Sequence, residues 1–434
     1  MGKNEIMYDV IGIGIGPFNL GMAALLEDED KVNAMFFDET PVFNWHPGML
    51  IEGADLQVPF LADFVTFADP TSRFSFLNYL HEQNRLYQFY FFNRFDIPRR
   101  EYNDYAQWVA SQLTNCMFSS RVVDVIDHDT YYDVVVEDQE SGEKRTYATK
   151  HLVLGTGSSP LIPKGLRGFP KKDVLHTSNY QYEQPELEEA EGLMVVGSGQ
   201  SAAEVFLDLL QKQNGNDQHI YWVTRSAAFF QLESGKLGQE VFSPDYIDYY
   251  HSLPYDKRMN EIPHLQHLRQ GVEEKTLHEI YDLLYHKTVN GFDTGVTILT
   301  SSDVKKIEQT GNKYTVTCEQ WQQEKEYSID VNKVILATGY RPNIPDWFEK
   351  FNDKIEWEEN KHFKVKRDYR LSFKEPRDHH FFTLTNIEHS HGASATNLGL
   401  AVQRNVTIIN KIAGRELYPE QRNTVFQNFG ALEE

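Results

Sequence analysis

Two stretches of this 434-residue chain have the residue types and spacing to hold a dinucleotide. In "VIGIGIGPFNL", Gly12, Gly14 and Pro17 form a GxGxxP pattern, with Gly16 directly before the proline. In "VVGSGQSAAE", Gly197, Gly199 and Ala202 form GxGxxA. An apolar strand leads into each turn and an apolar helix leaves it. In such a unit the first glycine permits the tight turn and the second lets a pyrophosphate reach the backbone. The helix start then offers free N–H groups and a positive dipole end. Proline suits that start, because an N–H there has no intrahelical partner. The plainer alternative for the first motif is a tight turn that needs glycines and binds nothing.

The residues that follow separate the two units. Asp38 in "AMFFDET" ends the strand after the first helix, where an acid can accept hydrogen bonds from a ribose. The matching strand of the second unit, "HIYWVTRS", ends in Arg225 with no acid at that point. An acid would repel a 2′-phosphate and an arginine would bind it, so this site reads as one for NADPH rather than NADH. The alternative for Arg225 is an exposed surface arginine. Two sites of different kind imply a flavin beside a nicotinamide. That pairing permits disulfide reduction, electron transfer to a partner or oxygen activation. Disulfide reduction needs a redox-active cysteine pair, and Cys116 and Cys318 lack the spacing. Oxygen activation or plain NADPH oxidation remains. His389 and His391 could begin a metal site, but three or four ligands are needed and no partners stand out. No metal is expected.

These residues need elements to position them. The segments "HLVLGTGSSPLIP" (151–163) and "VNKVILATGYRPNIP" (331–345) repeat the buried strand that ends in glycine. Strands alternating with helices predict an α/β fold with parallel, doubly wound sheets and two Rossmann-like domains. Residues 214–217 read as a polar turn. Residues 240–290 are rich in Tyr, His and Leu and carry helical periodicity, which predicts a small, mostly helical part in or beside the second nucleotide domain. Its aromatic residues are expected in the core rather than in a pocket.

Composition bounds the rest. Apolar residues make up 40% and charged residues 24%, ordinary for a soluble globular enzyme. The formal charge of −22 argues against a nucleic-acid partner. It is compatible with a cationic small substrate as well as with solubility alone. No stretch is long and apolar enough to cross a membrane. The start does not read as a signal peptide, because its apolar run leads into the glycine motif. Ile6 stands where a myristoylation signal needs Ser or Thr. Two distant cysteines fit a reducing compartment, so a cytoplasmic enzyme is expected.

Several pieces in order, "GIGPFNL", "FFDETPVFNWHPGM", "LQVPFLADFVTFADPTSRFSFLNYL", "REYNDYAQWVA", "VVGSGQSAAE", "LATGYRP" and "HSHGASATNLGL", together resemble the microbial N-hydroxylating flavin monooxygenases of siderophore biosynthesis. Those enzymes act on lysine, ornithine or diamines. The resemblance spans about residues 7–410. It implies an FAD-binding domain from 1–188 and 330–434, and an NADPH-binding domain over 189–329. The helical substrate-binding part would be inserted at about 240–290. It also implies bound FAD, NADPH as reductant, O₂ as co-substrate and often a homotetramer. By the same resemblance Phe18, Asn19, Val123 and the stretch from Asp38 through Trp45 to His46 should contact FAD. Gln57, Asn397 and Leu398 should lie near the flavin ring. Thr338 and Gly339 belong to the cofactor site, Gln200, Ser201, Ala202, Ala203 and Arg225 should hold NADPH, and Arg99 should stand close to the cofactors. The implied chemistry is flavin reduction by NADPH, O₂ addition to give a C4a-hydroperoxyflavin, and attack by a neutral amine. No catalytic side chain is assigned.

The resemblance also bears on substrate. Its lysine and ornithine enzymes generally carry a lysine at the position of Ala62, expected to pair with the substrate's α-carboxylate. Here Gln57, Phe60, Leu61 and Asp63 are kept and the lysine is a methyl group. Gln239 stands where the ornithine enzymes have a substrate-contacting asparagine, and Gly399 where they have a serine. A buried carboxylate without a partner costs several kcal/mol, so the pocket should favour a diamine such as putrescine or cadaverine. Glu233 and Glu240 are candidate acids for the far ammonium. The alternatives are a lysine N6-monooxygenase that binds the carboxylate by another route, and a redox sensor or oxidase that oxygenates nothing.

Overall fold

The computed structural model describes residues 7–213, 218–291, 293–359 and 362–432. The polar turn expected at 214–217 lies outside the described residues. The strand Met7–Ile13 pairs in parallel with Ala34–Phe37 on one side and Lys144–Leu154 on the other. Val10, Ile11 and Leu152 are fully buried. Both faces of this strand are covered, so its sequence reads as a continuous apolar run rather than an alternating one. Cys116–Met117, Tyr132–Asp138, Ser120–Asp127 and Phe381–Thr383 complete a seven-stranded sheet. The helix Pro17–Glu27 lies against Ala401–Ala413 from the far end of the chain, and Asn405 Nδ2 donates to the Phe18 carbonyl at 2.8 Å.

A second sheet holds five parallel strands in the order Val174–His176, Lys333–Leu336, Gly192–Val196, His219–Val223 and Val296–Leu299. It therefore takes strands from both sides of the expected 189–329 segment. Three or four residues of buried strand carry too little pattern to show which sheet they join. An antiparallel sheet of Ser302–Thr310, Lys313–Gln320 and Lys325–Val331 follows. The two chain crossings between the sheets pair with each other, Ser158–Pro160 against Tyr340–Pro342.

The helical part consists of Pro244–Ser252, Tyr255–Glu261, a 3₁₀ turn and Glu274–Thr288. Ser243 caps the first of these by accepting the Tyr246 N–H at 3.2 Å, with Pro244 in the first helical position. Tyr246 and Tyr250 are buried in its core. Glu274–Thr288 packs on the helix Gln200–Lys212.

Candidate active site

Side chains brace the first glycine turn from both sides. Gly14 has φ +86°, and a Cβ there would stand 2.6 Å from the Gly155 carbonyl oxygen, so only glycine fits. The Asp38 carboxylate accepts the Ile15 N–H at 2.6 Å, the Thr40 N–H at 2.8 Å and the Thr40 hydroxyl at 2.6 Å. Buried Asn19 donates to the Gly14 carbonyl at 2.7 Å, and its Oδ1 has no partner among the described residues. Beyond Gly16 the space is open. A Cβ there would meet nothing within 4 Å, and no side chain caps the helix that begins at Pro17. An uncapped helix start facing open space fits a pyrophosphate. Asp38 does more than wait for a ribose, because it holds the turn in shape.

The second turn has the same plan and a different setting. Gly197 has φ +136°, and its Cβ would fall 2.5 Å from the Ala337 carbonyl oxygen. Gly199 faces open space and the helix after it is uncapped. This turn lines a cleft of about 770 Å³ together with Ser201, Ala202, Arg225, Thr338 and Gly339. Arg225 is exposed, and its guanidinium bonds no described residue. Gln200 lines the same cleft, and its side chain bonds Glu204 at 3.0 Å, Thr276 at 3.1 Å and the Glu273 N–H at 2.8 Å. Ala203 differs from expectation: it is fully buried in the apolar core behind the turn and does not line the cleft.

A second cleft of about 930 Å³ lies beside the first, and Gln57, Arg269 and Gln270 line both. Trp45, Arg99, Gln239, Asn397 and Leu398 also line the larger one. The Trp45 N–H donates to Asn103 Oδ1 at 2.8 Å, and its ring meets Tyr102 edge-on at 5.1 Å. The His46 ring stands edge-on to Trp45 at 4.9 Å and to Tyr340 at 5.7 Å, and desolvation by the protein around it, with Arg99 nearby, holds its imidazole down to about 4. Arg99 grips both oxygens of Glu204, at 2.6 and 2.8 Å, and the Met49 carbonyl at 2.9 Å. Glu204 lies on the helix that leaves the second glycine turn. Arg99 thus joins the two dinucleotide units as well as edging the cleft.

The charges of this cleft do not balance. Its cations are already paired: Arg99 with Glu204, Arg269 with Glu388 and Lys275 with Asp55. Glu233, Glu273 and Glu274 line the same space, and among the described residues none has an ion-pair partner. Burial, with Asp55 nearby, raises the Glu273 carboxyl above its usual range.

Comparison with known proteins places this geometry. The family model for L-lysine 6-monooxygenase/L-ornithine 5-monooxygenase matches residues 6–342. The chain belongs to this family. It is 39% identical over 436 residues to the putrescine N-hydroxylase of Shewanella oneidensis, covering 98% of this chain and 86% of that one. The FAD-bound cadaverine monooxygenase of the desferrioxamine pathway from Erwinia amylovora superposes with a TM-score of 0.93 at 38% identity, covering 99% of this chain and 100% of that one. The Kutzneria ornithine N-hydroxylase with reduced FAD, NADP⁺ and L-ornithine gives 0.88 at 27% identity, over 94% and 99% of the two chains. This monooxygenase is a flavin enzyme that uses FAD and NADPH.

Within the monooxygenase, two of the three departures from the lysine and ornithine pattern, Ala62 and Gly399, meet. A Cβ on Gly399 would lie 4.0 Å from that of Ala62. Ala62 is only 5% exposed, and neither residue reaches the larger cleft, whose wall at this point is Pro59, Asn397 and Leu398. Asn397 shapes that wall by accepting the Gly399 N–H at 2.7 Å. Asp63 shapes the other side, accepting N–H groups of Val65, Thr66 and Phe76 and the Thr66 hydroxyl. Gln239 faces the cleft and donates to the Glu233 carbonyl at 2.8 Å. Glu240 is a correction. Its carboxylate accepts the Phe426 and Gln427 N–H groups, each at 3.0 Å, so it fastens the C-terminal tail instead of facing substrate.

Other residues take supporting places. Val123 is the extra residue of a bulge in the first sheet. The Phe18 ring lies 4.5 Å from the buried Arg404 guanidinium carbon. His389 and His391 bond the Phe363 and Arg367 carbonyls at 2.8 and 3.2 Å. Sequence reasoning missed Glu204, Arg269, Gln270, Glu273 and Lys275. Glu204, four residues beyond Gln200 on one helix face, carried the only readable signal.

Proposed function

We propose that this monooxygenase N-hydroxylates one primary amine of a small aliphatic diamine, putrescine or cadaverine, to supply a hydroxamate siderophore pathway. The observation that carries the reading is the charge of the 930 Å³ cleft. Its cations are spent on protein carboxylates, and among the described residues three of its carboxylates have no ion-pair partner, Glu233 accepting only the Gly235 N–H at 2.6 Å. An amino acid would bring an α-carboxylate into a space with no free cation. A diamine brings a second ammonium, which Glu233, Glu273 or Glu274 would welcome. Ala62 and Gly399 agree, since neither can offer a positive charge.

FAD, reduced by NADPH, supplies the oxygen activation. The chain supplies the rest. The uncapped helix starts at Pro17 and Gln200 and the Arg225 guanidinium would bind phosphates. Gln57, on the wall shared by both clefts, would stand between nicotinamide and amine. Pro59, Leu398 and Phe95 would keep water from the reacting centre. A free alkylamine has a pKa near 10 on the lysine scale, so the reacting nitrogen must shed its proton where no carboxylate holds it. Glu233, Glu273 or Glu274 would therefore fix the far ammonium, and the near amine would lie by the apolar residues Pro59, Phe95 and Leu398. We place the enzyme in the cytoplasm as a homo-oligomer, a tetramer on the family resemblance.

Hydroxylamine formed per NADPH oxidised tests the reading with putrescine, cadaverine, lysine and ornithine. Either diamine should couple best. Higher coupling with lysine or ornithine would return the chain to amino-acid hydroxylation, and no hydroxylamine with any amine would favour an oxidase or sensor.

A further inference from the structure

Gln239 and Glu233 reach the larger cleft from an element that cannot hold itself. The helix Lys236–Gln239 has four residues and none is buried, and one helical turn fixes more backbone than its hydrogen bonds repay. Its near side is tied down: the Leu232 N–H donates to the Val272 carbonyl at 2.8 Å and the Glu233 N–H to the His267 carbonyl at 2.9 Å. Beyond it, Val241 enters the core of the helical part. The turn itself is held by the C-terminal segment. Glu240, directly after Gln239, accepts the Phe426 and Gln427 N–H groups, each at 3.0 Å, and the Gln427 side chain donates to the Leu237 carbonyl. Among the described residues, every hydrogen bond that residues 234–240 make outside residues 233–242 goes to this segment. Asp245 accepts the Asn423 and Thr424 N–H groups, each at 2.9 Å, and the Thr424 hydroxyl at 2.6 Å. Phe429 meets Tyr246 edge-on at 5.0 Å. The root of the segment is fixed elsewhere. Asn410 accepts the Leu417 N–H at 2.8 Å, and the Tyr418 hydroxyl donates at 2.7 Å to the carbonyl of Leu25, on the helix that leaves the first glycine turn.

We propose that residues 423–429 are a positioning strap for the substrate wall, whose grip on Leu237, Glu240 and Asp245 sets Gln239 and Glu233 against the amine. The proposal deepens the functional reading above and rests on its assignment of the larger cleft to substrate. Three features distinguish a strap from a chain end lying on the surface. The segment is gripped in succession at Thr424, Gln427 and Phe429, along its length rather than at one point. Its main bonds run from N–H groups to carboxylates, the stronger class of hydrogen bond, and the Phe426 and Gln427 N–H groups hold the Glu240 carboxyl below the usual carboxylate range. The gripped turn is also continuous with the wall: Gln239 donates to the Glu233 carbonyl at 2.8 Å, and the Glu233 carboxylate accepts the Gly235 N–H at 2.6 Å. A shift at Glu240 therefore passes to both cleft residues. None of residues 423–429 lines either cleft, so the segment can act on the amine only through that wall.

Steady-state kinetics of the FAD-loaded full chain test this, with whichever amine gives the most hydroxylamine per NADPH. Phe426 is 97% exposed, so Phe426→Pro takes an N–H from Glu240 and no ring contact. Phe426→Pro/Gln427→Pro takes both N–H groups. That double variant should raise the amine KM about tenfold. Its kcat at saturating amine, its KM for NADPH and its flavin content should stay within about twofold of wild type. Glu240→Ala, which deletes the acceptor from the other side, should do the same, and Glu240→Gln, which keeps one acceptor oxygen, should fall between. Combining Glu240→Ala with the prolines should add nothing to the larger effect, because all cut one connection. Gln239→Ala, on the wall itself, should also raise the amine KM. An amine KM that the prolines leave unmoved while Gln239→Ala raises it would overturn the strap and leave the substrate cleft standing. So would effects of the prolines and of Glu240→Ala that multiply, or a general loss of flavin and fold in both. An amine KM unmoved by Gln239→Ala would overturn the assignment of the cleft, and the strap with it.

Discussion

The two glycine turns share one plan and differ in how they are held. The first is clasped by its own side chains, with Asp38 on Ile15 and Thr40 and Asn19 beneath Gly14. Among the described residues no carboxylate grips the N–H groups of the second, which is held instead by the Trp222 indole N–H on the Gly197 carbonyl at 2.8 Å and by the Ser198–Ser226 hydroxyl pair at 2.9 Å. It opens on a cleft lined by Arg225, whose guanidinium bonds no described residue. The difference teaches how one chain can keep one cofactor and exchange the other. A braced turn is preorganised for a resident group. A turn beside an open cleft, where Arg225 has no ion-pair partner among the described residues, suits a reductant that arrives and leaves.

The largest expected effects would break the comparison outright. Gly14→Val, at φ +86° and facing the Gly155 carbonyl, should yield a colourless protein with a flavin-to-protein absorbance ratio near zero. Gly197→Val should leave the protein yellow and unable to be reduced by NADPH in stopped-flow traces. If it also lost FAD, the two turns would not be separate sites. Next, Arg225→Ala should raise the KM for NADPH by about 10–100-fold, the worth of one charge-assisted phosphate contact, and leave the KM for NADH nearly unchanged. A smaller effect concerns Ala62. A lysine in this buried position beside Gly399 should lower kcat/KM for diamines about tenfold, by like charge, with flavin content retained. Equal loss of FAD would remove Ala62 from the substrate side.

The smallest effect is a pH dependence in the wall behind the flavin side. Burial lowers the pKa of His389 to about 4 and that of His391 well below its ordinary value. Both are neutral in the fold, while the unfolded chain would bind protons near 6.5. Their stabilisation is therefore complete above about pH 6.5 and is lost as the pH falls towards 4. Asp127, whose pKa is lowered by its hydrogen bonds to Lys354 and His379 and by Arg377, adds its loss only below about 4. Thermal unfolding followed by flavin fluorescence should show Tm falling by a few degrees between pH 6.5 and 4.5. A flat profile in that window would contradict the buried neutral imidazoles.

Much of the frame was legible because it rests on local pattern. Glycine spacing, apolar strands and uncapped helix starts leave marks over ten or twenty residues, and both turns lie where those marks put them. The contrast between Asp38 and Arg225 was legible for the same reason. The joinery was not. Arg99 with Glu204 and Asp55 with Lys275 are ion pairs between residues more than a hundred positions apart, and such pairs leave no periodicity. Glu240 illustrates the cost: it stood as a candidate acid for the far ammonium, while its partners come from the C-terminal tail. The charge surplus of the larger cleft was equally hidden, since it depends on which acids are already spent.

The central claim is that the cleft prefers a second ammonium to a carboxylate. Its most direct test is one reaction with equimolar putrescine, cadaverine, lysine and ornithine, limiting NADPH, and mass spectra of the hydroxylamine products. Because competition reads the ratio of kcat/KM values, and an unpaired carboxylate costs several kcal/mol, N-hydroxy diamine should exceed N-hydroxy amino acid on the order of a hundredfold. A mixture in which N-hydroxylysine or N-hydroxyornithine matches or exceeds the diamine product would contradict the account.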